Sequence, residues 1–178
     1  MTNAIFNNVI DRFNIHKLNI RDISKEYGLD PYLVAAICWQ ESGFLSHSSA
    51  YEDEFYKRYI RNRSKTFLKR LYPKLGDDIE IEKRQLATSW GLMQVMGETA
   101  RELGFRGELK ELYNSDGLKY GCLYLCDRIK IYHQIDTVLS AYNAGTPTAK
   151  NRDLYVVPVL NKQEILKEEK VVIECFGK

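Results

Sequence analysis

The chain has 178 residues, of which 44% are hydrophobic and 28% are charged, and its formal net charge is +2. This ordinary globular composition excludes a disordered or collagen-like chain and leaves enough residues to bury a core. No segment approaches the roughly 20 apolar residues that a membrane-spanning helix needs. We therefore expect one domain over residues 1–178.

The N-terminal part is predicted to form two short amphipathic helices, near Ala4–Phe13 and Ile20–Tyr27. The first residues lack the charged start, the apolar run and the small-residue cleavage site of a signal peptide. We therefore expect a protein that is made in the cytoplasm and stays there unless something else releases it.

Local signals define the next helix at both of its ends, in the stretch DPYLVAAICWQESGF at residues 30–44. Asp30 is a good N-cap and Pro31 suits the first helical position. Gly43 can close the helix in a left-handed conformation.

One face of this helix is apolar except for its last member, Glu41. Val34, Ile37 and Cys38 share that face with it by the i, i+3, i+4, i+7 rule. A position at the edge of a core and near a helix C-terminus raises the pKa of a carboxylic acid. A carboxylic acid that is still protonated near neutral pH can act as a general acid. The alternative interpretation is a surface glutamate in the last helical turn.

A basic segment follows, because Lys57–Lys74 contains eight Lys and Arg residues and no acid. Helices are predicted for Glu52–Arg61 and Ser64–Leu71, with Pro73 and Gly76 ending the second. Two interpretations stay open: a solvated helical face, or a cationic surface for an anionic polymer such as a cell wall, lipopolysaccharide or nucleic acid.

The rest of the chain also shows helical patterns, so the predicted fold class is all-α. The predicted helices are a short one at residues 97–104, a longer one at 114–134, and two at Asp136–Ala144 and Asp153–Lys167. The final stretch VVIECF, residues 171–176, is expected to be a short strand or an unpacked tail.

The cysteines do not form a metal-binding pattern. Cys122 and Cys126 are one helical turn apart, but no nearby His or Cys completes a metal set. We predict that these two, Cys38 and Cys175 are reduced and mostly buried, and a structural disulfide stays open. We expect no metal or organic cofactor.

Three short motifs stand in order along the chain: ESGF at Glu41–Phe44, SWGLMQVM at Ser89–Met96 and AYNAG at Ala141–Gly145. With YVVPVL at Tyr155–Leu160, they resemble lytic transglycosylases of the soluble-type and goose-lysozyme-like superfamily. These enzymes cleave the glycan strands of bacterial peptidoglycan. The resemblance covers about residues 31–160 and implies a lysozyme-like all-α fold with peptidoglycan as its substrate.

By this resemblance, Glu41 is the catalytic acid for the β-1,4 bond between N-acetylmuramic acid and N-acetylglucosamine. In the family, the same glutamate then acts as a base on the C6 hydroxyl, which gives a 1,6-anhydro end without water. The substrate's own N-acetyl group stabilises the oxocarbenium-like state, so no second carboxylate is needed.

Other motif residues are predicted to form the cleft. Gly91 would let the chain pass close to the sugar because it has no Cβ, and Met93 would supply an adaptable apolar wall. Gln94 has donor and acceptor groups that suit N-acetyl and hydroxyl groups. For Met93, the alternative is an ordinary core side chain.

The family's glycan-side residues correspond to Tyr142 and Asn143, and we expect a hydrogen bond from Tyr142 near Glu41. Tyr155 is a further candidate for the same wall. Tyr142 could instead be a core tyrosine with a satisfied hydroxyl.

The chain departs from the family pattern before GLMQ, where Thr88 and Ser89 replace a Gly-Ala pair. Ser89 would hydrogen-bond Glu41 or the glycan, or cap the short helix that follows. The longer, basic stretch contains AYEDEFYKRYI, which resembles a segment of bacteriophage endolysins and phage-type muramidases. Glu52 corresponds to a glutamate of that segment. It would orient the substrate or activate water, as in a hydrolysing lysozyme, unless it is a solvated acid in a helix's first turn.

The endolysin-like segment, the small size and the missing export signal favour a phage or prophage origin and a role in host-wall lysis. The protein would then reach the wall through a membrane lesion. We expect a monomer that binds peptidoglycan, with the basic segment Lys57–Lys74 facing an anionic envelope and with no nucleic-acid partner. Rival interpretations are a non-catalytic wall-binding or tail-associated module and a nucleic-acid-binding protein.

Overall fold

The computed structural model describes residues 3–72 and 78–177, and the fold is all-α, as predicted. The helices are α1 (Asn3–Glu26), α2 (Pro31–Ser42), α3 (Asp53–Phe55), α4 (Lys65–Leu71), α5 (Ile79–Leu86), α6 (Gly97–Glu102), α7 (Ser115–Tyr132), α8 (Ile135–Ala144), α9 (Val157–Glu168) and α10 (Lys170–Phe176). A π-helical turn at Tyr56–Ile60 extends α3, another at Arg152–Val156 leads into α9, and a 3-10 turn at Leu109–Tyr113 precedes α7.

A small antiparallel sheet interrupts the helices. Its strands are β1 (Ser49–Tyr51), β2 (Thr88–Trp90) and β3 (Val95–Met96), in the order β1-β2-β3. Ala50 pairs with Ser89, and Ser89 pairs with Met96. Strands of two or three residues are too short to show an alternating pattern, so the sequence does not predict them.

The N-terminal helix α1 is one continuous helix of 24 residues, so the prediction of two short helices is wrong. No glycine or proline lies between Phe13 and Ile20 to end it. The side chains of Phe13 and Ile20 are fully buried, and their spacing of seven residues places them on one face of the helix. Exposed residues between them, such as Ile15, hide this continuity in the sequence pattern.

The last stretch forms helix α10, which corrects the expectation of a strand or an unpacked tail. Val172 and Phe176 are buried, and the Phe176 ring packs edge-on against Phe13 and Tyr32, with centroids 5.6 and 5.2 Å away. The Tyr32 hydroxyl donates to the Gly177 carbonyl at 2.6 Å. These contacts with α1 and α2 supply tertiary stabilisation that a seven-residue helix lacks alone.

Buried side chains form two clusters. The larger one surrounds α2, in which every residue from Leu33 to Trp39 is buried, and α1 and α9 are its main neighbours. The smaller one joins the sheet to the segment after β1 and contains Ile60, Leu68, Leu86 and Trp90. The site described below includes side chains from both regions.

The cysteines are free thiols in the structure, with Cys38 and Cys122 buried and Cys126 and Cys175 partly exposed. Among the described residues, no helix combines the length and the apolar character needed to span a membrane.

Most of the described basic side chains between residues 57 and 70 are exposed, as a solvated helical face requires. Two of them form ion pairs: Lys57 lies 2.5 Å from Asp53, and Arg63 pairs with the buried Glu98. The predicted helix ends at Pro73 and Gly76, and Lys74 itself, lie outside the described residues.

Candidate active site

A cleft of about 790 Å³ lies between the helices and the sheet, within the size range of ligand sites. Its helical side includes Glu41, Tyr124, Tyr142 and Asn143. Its sheet side includes Ala50, Glu52, Phe55, Tyr59, Ser89, Gln94, Val95 and Met96. Glu41, Glu52, Ser89, Gln94, Tyr142 and Asn143 were singled out by the sequence patterns, and the structure brings them together here.

Helix α2 places Glu41 at the edge of the core, as the local signals predict. The Asp30 carboxylate accepts a hydrogen bond from the Tyr32 backbone N–H at 2.9 Å. Gly43 adopts φ +58°, and its N–H bonds the carbonyl of Trp39 at 3.1 Å. The helix therefore ends directly after Glu41, whose side chain is only partly exposed.

The surroundings of Glu41 favour the protonated acid. The pKa of Glu41 is raised from 4.5 to about 7: burial raises it most, the hydrogen bond from Tyr155 partly opposes this rise, and the charge of Glu52 adds to it. The Tyr155 hydroxyl donates to Glu41 Oε1 at 2.5 Å. A group with a pKa near 7 can give a proton and take one back at neutral pH, as acid–base catalysis requires.

Tyr142 lines the cleft, but the expected hydrogen bond near Glu41 is made by Tyr155 instead. The Tyr142 hydroxyl donates to the Met93 carbonyl at 2.8 Å. Burial, and then the charge of Glu41, hold the pKa of Tyr142 well above its usual value, so the hydroxyl remains a donor. The bond ties α8 to the turn between β2 and β3.

The Gln94 side chain lies at the cleft surface, but most of its hydrogen-bonding capacity is used within the protein. Its Nε2 donates to the carbonyls of Ser48 and Gly91 at 3.0 and 2.8 Å. Its Oε1 lies 3.1 Å from the Ser89 hydroxyl. Because both amide hydrogens are engaged, a ligand can use only the remaining acceptor capacity of Oε1.

Ser89 also lines the cleft, and its hydroxyl lies 3.2 Å from the Ala50 carbonyl, in addition to its contact with Gln94. In the part of the chain that the structure describes, the Ser89 hydroxyl makes no hydrogen bond to Glu41. Helix α6 begins only at Gly97, so Ser89 does not cap it.

Gly91 and Met93 do not line the cleft, which corrects the predicted contact of Gly91 with a sugar and favours the alternative of a core side chain for Met93. Gly91 has φ +72°, and a Cβ there would stand 2.3 Å from the Leu112 carbonyl oxygen. The space that the missing side chain leaves is therefore occupied by the 3-10 turn rather than by a sugar. Met93 is fully buried and packs against Gly121, where an added Cβ would stand 2.6 Å from Met93 Cβ. Its side chain belongs to the core.

Tyr155 is also absent from the cleft lining, so its expected place in the wall is wrong. It is buried, and its hydroxyl reaches Glu41 from within the protein. Tyr155 therefore holds the Glu41 carboxyl from the core side.

Asn143 and Glu52 are exposed in the cleft. The Asn143 side chain has no hydrogen-bond partner among the described residues, so its amide is free for a ligand. Glu52 stands at the N-cap position of α3 without a capping bond, and its backbone N–H bonds the Ala87 carbonyl at 2.8 Å. Its carboxylate thus faces the same space as Glu41.

Three aromatic residues line the cleft without having been predicted as site residues: Phe55, Tyr59 and Tyr124. The four-residue spacing of Phe55 and Tyr59 is a helical signal that could have indicated a shared face. For Tyr124, no local signal distinguishes a cleft residue from a core residue of α7.

Within residues 3–72 and 78–177, no group of three His, Cys, Asp or Glu side chains is arranged to hold a metal ion.

Comparison with known proteins agrees with this arrangement. A family model described as the transglycosylase SLT domain matches residues 19–156, well over half of the chain, and that range contains Glu41 and the rest of the cleft. None of the curated proteins compared with the chain matches it. Since the family match covers most of the helices and the whole sheet, the chain belongs to the transglycosylase SLT domain family and is a peptidoglycan lytic transglycosylase.

Proposed function

We propose that the enzyme cleaves the β-1,4 bond between N-acetylmuramic acid and N-acetylglucosamine and leaves 1,6-anhydromuramic acid ends. Glu41 is the general acid and then the general base. The observation that carries this proposal is the position of Glu41 at the cleft, partly desolvated, with a pKa of about 7. Glu52 is exposed, and no side chain of the described residues holds its carboxylate in place.

In the first step, protonated Glu41 gives its proton to the glycosidic oxygen. The bond from that oxygen to C1 of the muramic acid breaks, and N-acetylglucosamine leaves with a hydroxyl group. The acetamido oxygen of the muramic acid stabilises the positive charge at C1.

In the second step, the Glu41 carboxylate takes the proton from the C6 hydroxyl. O6 then bonds to C1, which closes the 1,6-anhydro ring and regenerates protonated Glu41. No water is consumed, so the atoms of substrate and products balance.

The environment of Glu41 suits both steps. Desolvation favours the neutral acid before the first transfer, and the Tyr155 hydrogen bond stabilises the carboxylate that follows it. These opposing influences keep the pKa near the working pH, where one group serves best as acid and base.

A second candidate is a hydrolysing muramidase in which Glu52 activates water. The observation that favours it is that Glu52 lines the same cleft and its charge acts on Glu41. An inverting hydrolase needs its two carboxyl groups about 6.5–9.5 Å apart to admit that water.

Mass spectrometry of the muropeptides released from purified peptidoglycan tests the two candidates. Products ending in 1,6-anhydromuramic acid, from both the parent and Glu52→Gln, would support the transglycosylase. Reducing muramic acid ends that disappear in Glu52→Gln would establish the hydrolase instead.

Glu41→Gln tests the acid itself, because glutamine has a similar shape but no carboxylic proton. We expect release to fall by about 10²–10⁴-fold, the usual contribution of general acid–base catalysis. Unchanged release from a folded variant would remove Glu41 from the mechanism.

We further propose that the enzyme acts in phage-type lysis of a host bacterium. The support is the segment at residues 50–60, which resembles a segment of bacteriophage endolysins. Expression inside a bacterium should clear the culture only when a hole-forming membrane protein is produced as well. Clearing without that protein would contradict this role.

A further inference from the structure

Two aromatic side chains of the segment after β1, Phe55 and Tyr59, line the cleft and have no role in the proposed reaction. We propose that Phe55 and Tyr59 form an aromatic platform that contacts the apolar face of an N-acetylhexosamine ring of the glycan strand. The platform rests on the proposed function, because it needs a glycan in this cleft. It assigns a substrate-positioning role to the segment between β1 and α4.

The two rings lie together on the sheet side of the cleft. They are four residues apart, across the junction of α3 with its π-helical turn, and their centroids are 5.0 Å apart with the planes tilted by 50°. Phe55 is partly buried, whereas Tyr59 keeps 49% of its surface exposed. A large aromatic surface is therefore open to the same space as Glu41.

The backbone that presents these rings is firmly anchored. On the protein side of the turn, Ile60 is fully buried in the smaller cluster. The Tyr56 hydroxyl donates to Glu80 at 3.1 Å, and the Lys83 ammonium donates to the Arg61 carbonyl at 3.0 Å.

The following residues hold the same segment through a buried ion pair, since Arg63 bonds Glu98, whose side chain is almost inaccessible. A ring on such an anchored turn loses little conformational freedom when a ligand arrives, so this cost offsets less of its contact energy.

The chemistry of a hexosamine ring fits this surface. One face of the ring presents C–H groups with a partial positive charge, and the face of an aromatic ring carries a partial negative charge. The Arg58 guanidinium lies 5.4 Å from the centre of the Tyr59 ring. The Phe55 ring and the surface of Tyr59 that Arg58 does not cover remain available for the sugar.

The platform adds a contact from a different element than the motif residues do. Tyr142 and Asn143 come from α8, whereas Phe55 and Tyr59 come from the segment after β1. A glycan strand that crosses the cleft contacts both sides. We therefore expect the platform to increase the affinity for longer glycan fragments more than the affinity for a disaccharide.

Binding of defined peptidoglycan oligosaccharides tests the platform. Titration calorimetry with a hexasaccharide of alternating N-acetylglucosamine and N-acetylmuramic acid would use Glu41→Gln as the parent, so that no cleavage occurs. Tyr59→Ala in this background should weaken binding about tenfold, as expected for the loss of one good aromatic contact. Tyr59→Trp should restore the affinity.

The matched control is Tyr51→Ala. Tyr51 is a neighbouring tyrosine with 40% of its surface exposed, and it is not part of the cleft lining. Its loss should leave the affinity unchanged. Tyr59→Leu keeps apolar volume without an aromatic face and should bind as weakly as Tyr59→Ala.

Full affinity in Tyr59→Leu, or in a folded Phe55→Ala/Tyr59→Ala double variant, would overturn the platform. That result would leave the proposed function intact if the unmodified enzyme still releases anhydromuropeptides. An unmodified enzyme that releases no muropeptide at all would overturn both proposals.

Discussion

On the helical side of the cleft, Glu41 extends from a fully buried helix segment and meets a buried tyrosine hydroxyl. On the sheet side, Glu52 stands exposed at the start of a short helix, and Gln94 on the same side has its amide bonded to the backbone. Both sides carry a glutamate, but only the helical side removes it from water. The comparison shows that the surroundings of an acid, rather than its presence in a cleft, suit it for proton transfer.

The largest expected difference concerns the pH dependence of stability. The pKa of Glu41 is about 7 in the folded protein and near 4.5 in the unfolded chain, so the folded state holds its proton over a wider range. The contribution of Glu41 to stability is therefore full below pH 4.5 and is lost as the pH rises to 7. The loss amounts to about 3 kcal/mol.

Glu41→Gln cannot lose a proton and should escape this loss. Urea denaturation between pH 4 and pH 8 should show the variant gaining about 3 kcal/mol relative to the unmodified protein. Glu168→Gln, which replaces an exposed acid on α9, is the control and should show little change. A constant difference between Glu41→Gln and the unmodified protein would mean that the apolar surroundings do not act on Glu41.

A smaller effect is expected on the sheet side, from Gly91→Ala. The added Cβ would stand 2.3 Å from the Leu112 carbonyl oxygen. Gly28 has a similar positive φ, and a Cβ there meets nothing within 4 Å, so Gly28→Ala measures the backbone strain alone. We expect Gly91→Ala to lower the free energy of unfolding by about 2 kcal/mol more than Gly28→Ala. Equal losses in chemical denaturation would mean that the 3-10 turn can move aside.

Tyr155→Phe should raise the pKa of Glu41, because it removes the hydrogen bond that stabilises the carboxylate. The decline of kcat/KM at alkaline pH, where Glu41 loses its proton, should then move upward by about one pH unit. Tyr32→Phe removes a hydroxyl that bonds Gly177 and should leave the profile unchanged. A downward movement in Tyr155→Phe would contradict the assigned role of this hydroxyl.

The smallest expected effect comes from Glu52→Gln, which removes the negative charge that raises the pKa of Glu41. The alkaline decline should move to lower pH by less than about one unit, because solvent and salt screen an exposed charge. Added salt should move the profile of the unmodified enzyme in the same direction. If neither Glu52→Gln nor added salt moves the pH profile, the two sides of the cleft do not interact electrostatically.

Sequence reasoning succeeded where the signal was local. The caps of α2 lie within a few residues of the ends that they define, so Asp30, Pro31 and Gly43 sufficed to place Glu41. The order of the motifs likewise identified the family without any knowledge of distances.

It failed where the deciding partner lay far away in the chain. Gly91 needs to lack a Cβ because the Leu112 carbonyl occupies that space. The Tyr155 hydroxyl bonds Glu41, which lies 114 positions earlier in the chain. Met93 illustrates the same limit, because a methionine in a motif looks alike whether it faces a ligand or, as here, Gly121. The sheet escaped prediction because its strands are held by pairing across 39 residues, from Ala50 to Ser89, rather than by their own composition.

The bond from the Tyr142 hydroxyl to the Met93 carbonyl has a mechanical consequence. It fastens the helical side of the cleft to the turn of the sheet side, so the two sides cannot separate like jaws without breaking a buried hydrogen bond. The width of the cleft is therefore coupled to this bond, since moving the two sides apart would leave the Tyr142 hydroxyl and the Met93 carbonyl without their partner.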